Sequence, residues 1–247
     1  MSIQYKLLKA KELTFVEANS DHQANSYFHF SPASYHNAKN ENYGVLRLLN
    51  DDEIAPYDGF PRHPHQDVEI ISYVVVGELT FKNSSSRKKA VLGKGGVQAI
   101  TAGTGVWHSE LNETEDPLRV IQIWLQPNRE NLRTRYEFKQ FQPSDRLNKL
   151  LHIVGNASNK RRVPLHIEQD VNVFVSELTN NKTQLRFSLK AGRQAYINNF
   201  EGSLTVKDIA TLEERDSMTI TGPATLEFKQ EKDHAHFVIV EMYKPRS

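Results

Sequence analysis

Cysteine is absent from the 247 residues. No disulfide can form, no thiolate can hold a metal ion and no cysteine can act as a nucleophile. A reducing, cytoplasmic compartment fits that composition. Neither charge is in excess, with 31 Lys and Arg against 30 Asp and Glu. A nucleic-acid binder normally carries a basic surplus, so no nucleic-acid partner is expected. No run long enough to span a bilayer is apolar throughout, so no membrane helix is expected. The opening MSIQYKLLKAKELTFVEANS is broken by Lys6, Lys9 and Lys11 and lacks the continuous apolar stretch of a secretory signal. Helix signals are scarce too. The clearest predicts a short helix over 144–149, with Ser144 as its N-cap.

Short alternating segments fill most of the chain. YGVLRLLN (43–50), VEIISYVVVGELTFKN (68–83), GVQAITAG (96–103) and LRVIQIWLQP (118–127) read as strands bounded by Gly, Pro, Asn and Asp. The texture returns in 150–156, 171–179, 183–192, 202–208, 217–230 and 236–245. Many short, evenly spaced strands predict an all-β sandwich or barrel. The polar stretch from Gln126 to Asn148 reads as a linker, giving a first domain over 1–128, a linker over 129–148 and a second domain over 149–247. The halves echo each other. VVVGELTF (74–81) matches NNFEGSLTV (198–206), with Gly77 over Gly202. QAITAGTGVW (98–107) matches MTITGPATLE (218–227), and DPLRVIQIWLQP (116–127) matches DHAHFVIVEMYKP (233–245), with Pro127 over Pro245. Three matches in one order predict an internal duplication.

The chemistry concentrates in two places. GFPRHPHQDVEIISYVVVGE (59–78) sets His63 and His65 one residue apart, and a strand's period of two sends both rings to one face. Pro64 between them lacks a donor, which suits a strand start or edge. GGVQAITAGTGVWHSELN (95–112) supplies His108 and, two residues later, Glu110. Three imidazoles and a carboxylate form a first shell for a borderline divalent metal. Glycines at 95, 96, 103 and 105 permit tight turns that could aim a strand end at a barrel mouth.

These residues carry a family resemblance. His63-x-His65-x3-Glu69 followed by Gly105-x2-His108-x3-Asn112 resembles the paired motifs of the cupin superfamily. The wording of both stretches is more similar still to the pirin family, particularly to bacterial pirin-like proteins with quercetin 2,3-dioxygenase activity. The resemblance implies a bicupin: two antiparallel, jelly-roll-like β-barrels face to face, with metal only in the first. It implies His63, His65, His108 and Glu110 as ligands. General cupins place the carboxylate at the position of Glu69. On an unbent strand that residue lies ~13 Å beyond His65, which favours Glu110. The implied cofactor is one divalent transition metal ion, iron(II) first, with Mn, Ni, Cu, Co or Zn also compatible. The implied reaction cleaves a flavonol such as quercetin with dioxygen, with Glu110 as catalytic base. The partners are then a small aromatic substrate and dioxygen. A second reading is a non-catalytic, metal-binding regulator that acts through protein partners.

Phe60, Trp107 and Tyr73 are candidates for a substrate pocket, whereas Trp124 reads as core packing within its apolar strand. Arg62 reads as a surface residue, and Arg87, Lys88 and Lys89 as a solvated hairpin loop. In the second half, Ser188 and Lys190 stand over His63 and His65 in the glycine register, and Phe228 and Gln230 over His108 and Glu110. A second His-x-His, His234 and His236, falls over Asp116 and Leu118 in the proline register and reads as a solvated turn.

Overall fold

The computed structural model describes residues 3–30, 41–84, 86–158, 163–180 and 182–244, apart from the side chains of 86–88. Strands account for nearly all regular structure, as the alternating pattern predicts. No helix among the described residues is long and apolar enough to cross a membrane.

The chain divides into two compact units. The first comprises Thr14–Phe141 with 165–169 and holds two antiparallel sheets. One sheet has seven strands in the order Arg135–Gln140, Gly96–Thr101, Glu69–Val76, Leu118–Leu125, Leu46–Ile54, Asn25–Phe28 and Thr14–Val16. The other has four, in the order Gly59–His65, Val106–Leu111, Leu79–Asn83 and Ser86–Leu92. Val74, Leu118 and Val120 of the larger sheet pack with Leu79, Phe81 and Leu92 of the smaller, so the two sheets share one core. Each sheet keeps free edges, and neither closes on itself into a barrel.

The second unit comprises Met1–Leu13, 142–164 and 170–247. Gln4–Leu8, Ser217–Thr221, Arg193–Val206, Ala224–Tyr243, Val171–Leu178 and Leu151–Asn156 lie side by side. Leu185–Leu189 adds to Ala224–Tyr243, and Ala210–Leu212 to Arg193–Val206. Phe187, Ile197, Leu204, Met218, Phe228 and Phe237 belong to its core.

Four expectations change here. Residues 126–148 are not all linker, because Arg135–Gln140 pairs along Gly96–Thr101 as an edge strand. Its alternation of Arg, Glu and Lys with Tyr136 and Phe138 places aromatics on Phe81 and charges on the far face. The helix starts one residue early, at Pro143–Arg146, because proline suits the first helical position and Asp145 accepts the Gln142 N–H at 2.8 Å. The expected boundaries also shift. The first thirteen residues join the second unit, where Asp216 accepts the Ala10 N–H at 2.8 Å and pairs with Lys9 at 2.7 Å. The 87–89 cluster lies on the strand Ser86–Leu92, and Lys89 pairs with Glu113.

The likeness of the two halves extends to one backbone position. Gly77 and Gly202 both take left-handed backbone, with φ of +78° and +70°. A Cβ on Gly77 would meet the Pro117 carbonyl oxygen at 2.5 Å, and one on Gly202 the His234 carbonyl oxygen at 2.1 Å. Glycine is required in both halves for a close approach to a backbone carbonyl of a neighbouring segment. That sets His234 over Pro117, one residue from the proline register. Pro245 lies outside the described residues.

Candidate metal centre

Two paired strands of the four-stranded sheet carry the histidines. His63 stands opposite His108, and His65 opposite Val106. Pro64 between them is exposed, while both rings turn to the other face. Ring centroids are 4.7 Å apart for His63 and His65, 4.5 Å for His63 and His108, and 4.9 Å for His65 and His108. One nitrogen from each ring lies within 4.8 Å of the others. Among the described residues this is the one histidine and carboxylate group with metal-ligand spacing.

The donor set fits a cation. His63 Nδ1–H donates to the Pro61 carbonyl oxygen at 2.7 Å, which leaves the lone pair on Nε2 facing inward. That nitrogen is 3.0 Å from His108 Nε2. His65 Nε2 is buried with no hydrogen-bond partner. Burial, then the neighbouring His63, lowers His65 to about 4. Burial, then His63 and His65, lowers His108 to about 3. Both rings are therefore neutral at pH 7, the state a metal requires.

Glu110 follows His108 by two residues and leaves the same face, into the space between the sheets. Its carboxylate is not one of the atoms in the 4.8 Å group. It accepts from Ser72 Oγ at 2.7 Å, from Gln98 Nε2, and through its other oxygen from Gln122 Nε2 at 3.0 Å. Ser72, Gln98 and Gln122 stand directly opposite one another on three neighbouring strands. Tyr136 in turn donates to Gln98, and Trp124 Nε1 to Gln122 Oε1 at 3.3 Å. Burial outweighs the Ser72 and Gln122 hydrogen bonds and pushes the Glu110 carboxyl up to about 7.

Glu69 is committed elsewhere. Its fully buried carboxylate accepts from Thr101 Oγ1 at 2.9 Å and from the backbone N–H groups of Glu168 at 2.6 Å and Gln169 at 2.9 Å. Glu69→Ala strands these donors, each at about 1–3 kcal/mol. The variant is expected to lose roughly 3 kcal/mol or more in urea unfolding while binding metal as the parent does. A variant that folds normally but loses its metal would return the fourth-ligand role to Glu69.

The aromatic candidates separate. Phe60 is half-buried with its ring 6.4 Å from His63, beside the centre. Trp107 leaves the opposite face of the strand from His108 and is 43% exposed. Tyr73 does not reach the site: it adjoins Ser72 on a strand, so it points to the other face, where it is buried. Trp124 packs against the core of Ile70, Ile100, Ala102 and Val106, as expected, and also stands edge-on to His65 with centroids 4.8 Å apart. Gln98, Gln122 and Ser72 were not singled out from sequence. Their signal is a lone polar residue within GVQAIT, VIQIWL and IISYV.

In the second unit the residues set over His108 and Glu110 are engaged otherwise. Phe228 is fully buried in the core, and Gln230 donates to the carbonyl oxygens of Lys232 and Asp233, each at 3.1 Å. His236 is not in a solvated turn. It is buried on Ala224–Tyr243, paired with Glu201 at 2.7 Å and edge-on to Phe200.

Comparison with known proteins finds relatives for both halves of the chain. The pirin family model matches residues 11–125, and that of the quercetinase C-terminal cupin domain matches 156–242. A pirin-like protein of Caulobacter vibrioides is 34% identical over 213 residues, 86% of this chain and 90% of that protein. Quercetin 2,3-dioxygenase of Escherichia coli K12 is 30% identical over 185 residues, 74% of this chain and 77% of that one. The crystal structure of the bacterial pirin YhhW from Escherichia coli in complex with nickel(II) shares the fold, with a TM-score of 0.86, 24% identity, and coverage of 98% of this chain and 100% of that one. With both halves matched in order and relatives spanning most of its length, the chain belongs to the pirin family of the cupin superfamily.

Proposed function

We propose that the chain is a metal-dependent dioxygenase that cleaves a flavonol of the quercetin type with dioxygen and releases carbon monoxide. One observation carries the reading: three imidazoles converge from two paired strands on the face that also presents a buried carboxylate held by three side-chain donors. The quercetin dioxygenase relatives support it. His63, His65 and His108 would hold one divalent ion, with Glu110 as fourth donor. Imidazole suits iron(II), cobalt, nickel, copper and zinc, and the carboxylate extends the range to manganese. The nickel(II) of the Escherichia coli pirin falls in this group, and iron(II) remains our first assignment.

When bound, such an ion supplies Lewis acidity toward the flavonol hydroxyl oxygen. Glu110 accepts the proton from that hydroxyl. Ser72, Gln98 and Gln122 orient the carboxylate for the transfer. The Pro61 carbonyl fixes the His63 ring, and Trp124 and Phe60 shield the imidazoles from bulk water. In this reading the two units descend from the two barrels of a duplicated bicupin, only the first keeps metal, and the protein works in the cytoplasm.

The test is oxygen uptake by protein loaded with each candidate metal, against a flavonol panel. Carbon monoxide release matching the oxygen consumed supports the reading. Metal-loaded protein that consumes no oxygen with any flavonol would put the regulatory reading first. Elemental analysis of protein purified without a tag is expected to find one metal equivalent per chain, unchanged by His234→Ala with His236→Ala. Two equivalents, the second lost in that variant, would contradict the assignment.

A further inference from the structure

The strand that carries His108 has a second working face. Along Val106–Leu111, Trp107 and Ser109 alternate with His108 and Glu110 and so leave the outer side of the sheet. Arg62 reaches Trp107 through a slip in register. His63 pairs with His108 but Phe60 with Glu110, so Gly59–His65 carries one extra residue there, and Pro61 and Arg62 are both exposed. The Arg62 guanidinium lies over the Trp107 ring, 4.4 Å from its centroid. On the strand at the other side, Lys82 stands directly opposite Ser109.

An indole and a hydroxyl are thus flanked by a cation on each side, around a cleft of about 450 Å³ that His108 of the histidine group also borders. No carboxylate lines this cleft, and among the described residues neither Arg62 nor Lys82 has an acidic partner. Other exposed cations of the chain do have one: Lys89 pairs with Glu113, and Lys207 and Arg186 pair with Glu227.

We infer that this cleft binds a small aromatic carboxylate. Stacking on the indole fixes the plane of the Arg62 guanidinium and leaves its edge N–H fork free, the geometry that grips a carboxylate with two parallel hydrogen bonds. The exposed part of Trp107 receives an aromatic ring. Lys82 adds a second positive charge, and Ser109 a hydroxyl. The volume lies within the range of about 300–1,000 Å³ usual for small-ligand pockets. Inorganic phosphate would use the cations and leave the indole bare, whereas a neutral phenol would do the reverse. The site is independent of the flavonol reading, since it requires no turnover and no metal.

Calorimetric titration of the full chain with 4-hydroxybenzoate tests the inference, with phenol and inorganic phosphate as matched probes lacking the carboxylate or the ring. Saturable binding of 4-hydroxybenzoate, tighter than either probe, is expected. Arg62→Ala should weaken it about tenfold or more, and Lys82→Ala should weaken it less. His63→Ala, which removes a candidate metal ligand on the other face, should leave it unchanged. Thermal unfolding checks that these surface variants remain folded. Binding lost in His63→Ala would move the ligand to the metal centre and overturn the inference. So would binding unaffected by Arg62→Ala in folded protein, or phenol bound as tightly as 4-hydroxybenzoate.

Discussion

Glu110→Gln is expected to lower flavonol turnover by about 10²–10⁴-fold, the usual contribution of a general base, while metal content stays near one equivalent. The substitution keeps the side chain's size and one acceptor oxygen but removes the charge and the basic site. The donors around it were arranged for an acceptor-only group. Ser72 and Gln98 converge on one oxygen and Gln122 on the other, so the new amide must turn its NH₂ toward one of these donors. Three imidazoles remain to hold metal. Turnover at the parent rate in the metal-loaded variant would show that Glu110 is not the base. Loss of metal together with turnover would show that its main role is ligation.

His63→Ala should remove metal and turnover together. Outer-shell changes at metal sites cost about 10–100-fold in affinity, and loss of a direct ligand should cost at least that. The fold should survive, because His63 is only half-buried and its ring bonds to backbone only at Pro61, within its own strand, while its own backbone pairing with His108 does not depend on the ring. Elemental analysis beside circular dichroism separates the outcomes. A folded variant that keeps a full metal equivalent would show that His65 and His108 suffice, and that the triad is not the binding unit.

The histidine cluster was legible because it depends on strand parity alone. His63 and His65 share a face wherever the strand lies, and only their pairing with His108 needed the structure. Tyr73 shows the limit of that rule: parity relates neighbours along a strand but does not say which face is inward. The anchoring of Glu110 was hidden for a related reason. Each of Ser72, Gln98 and Gln122 is a polar residue with apolar neighbours on either side in its strand, and they form a row only once three strands are in register. Arg135–Gln140 was read as linker because an edge strand exposes one side and carries charges there, which mimics a loop in composition. His236 looked solvated because its partner Glu201 lies far away in sequence.

The exchange of end segments has a consequence for any attempt to divide the protein. A gene fragment ending anywhere between 128 and 148 would encode the half with the histidine triad without 165–169, whose amides hold the carboxylate of Glu69. The complementary fragment would lack Gln4–Leu8, the strand that borders Ser217–Thr221, and the Lys9 that pairs with Asp216. No single cut returns both units whole. The halves are alike in pattern, but each unit includes a segment from beyond its own stretch of chain, so split expression or domain grafting has to carry both borrowed pieces along.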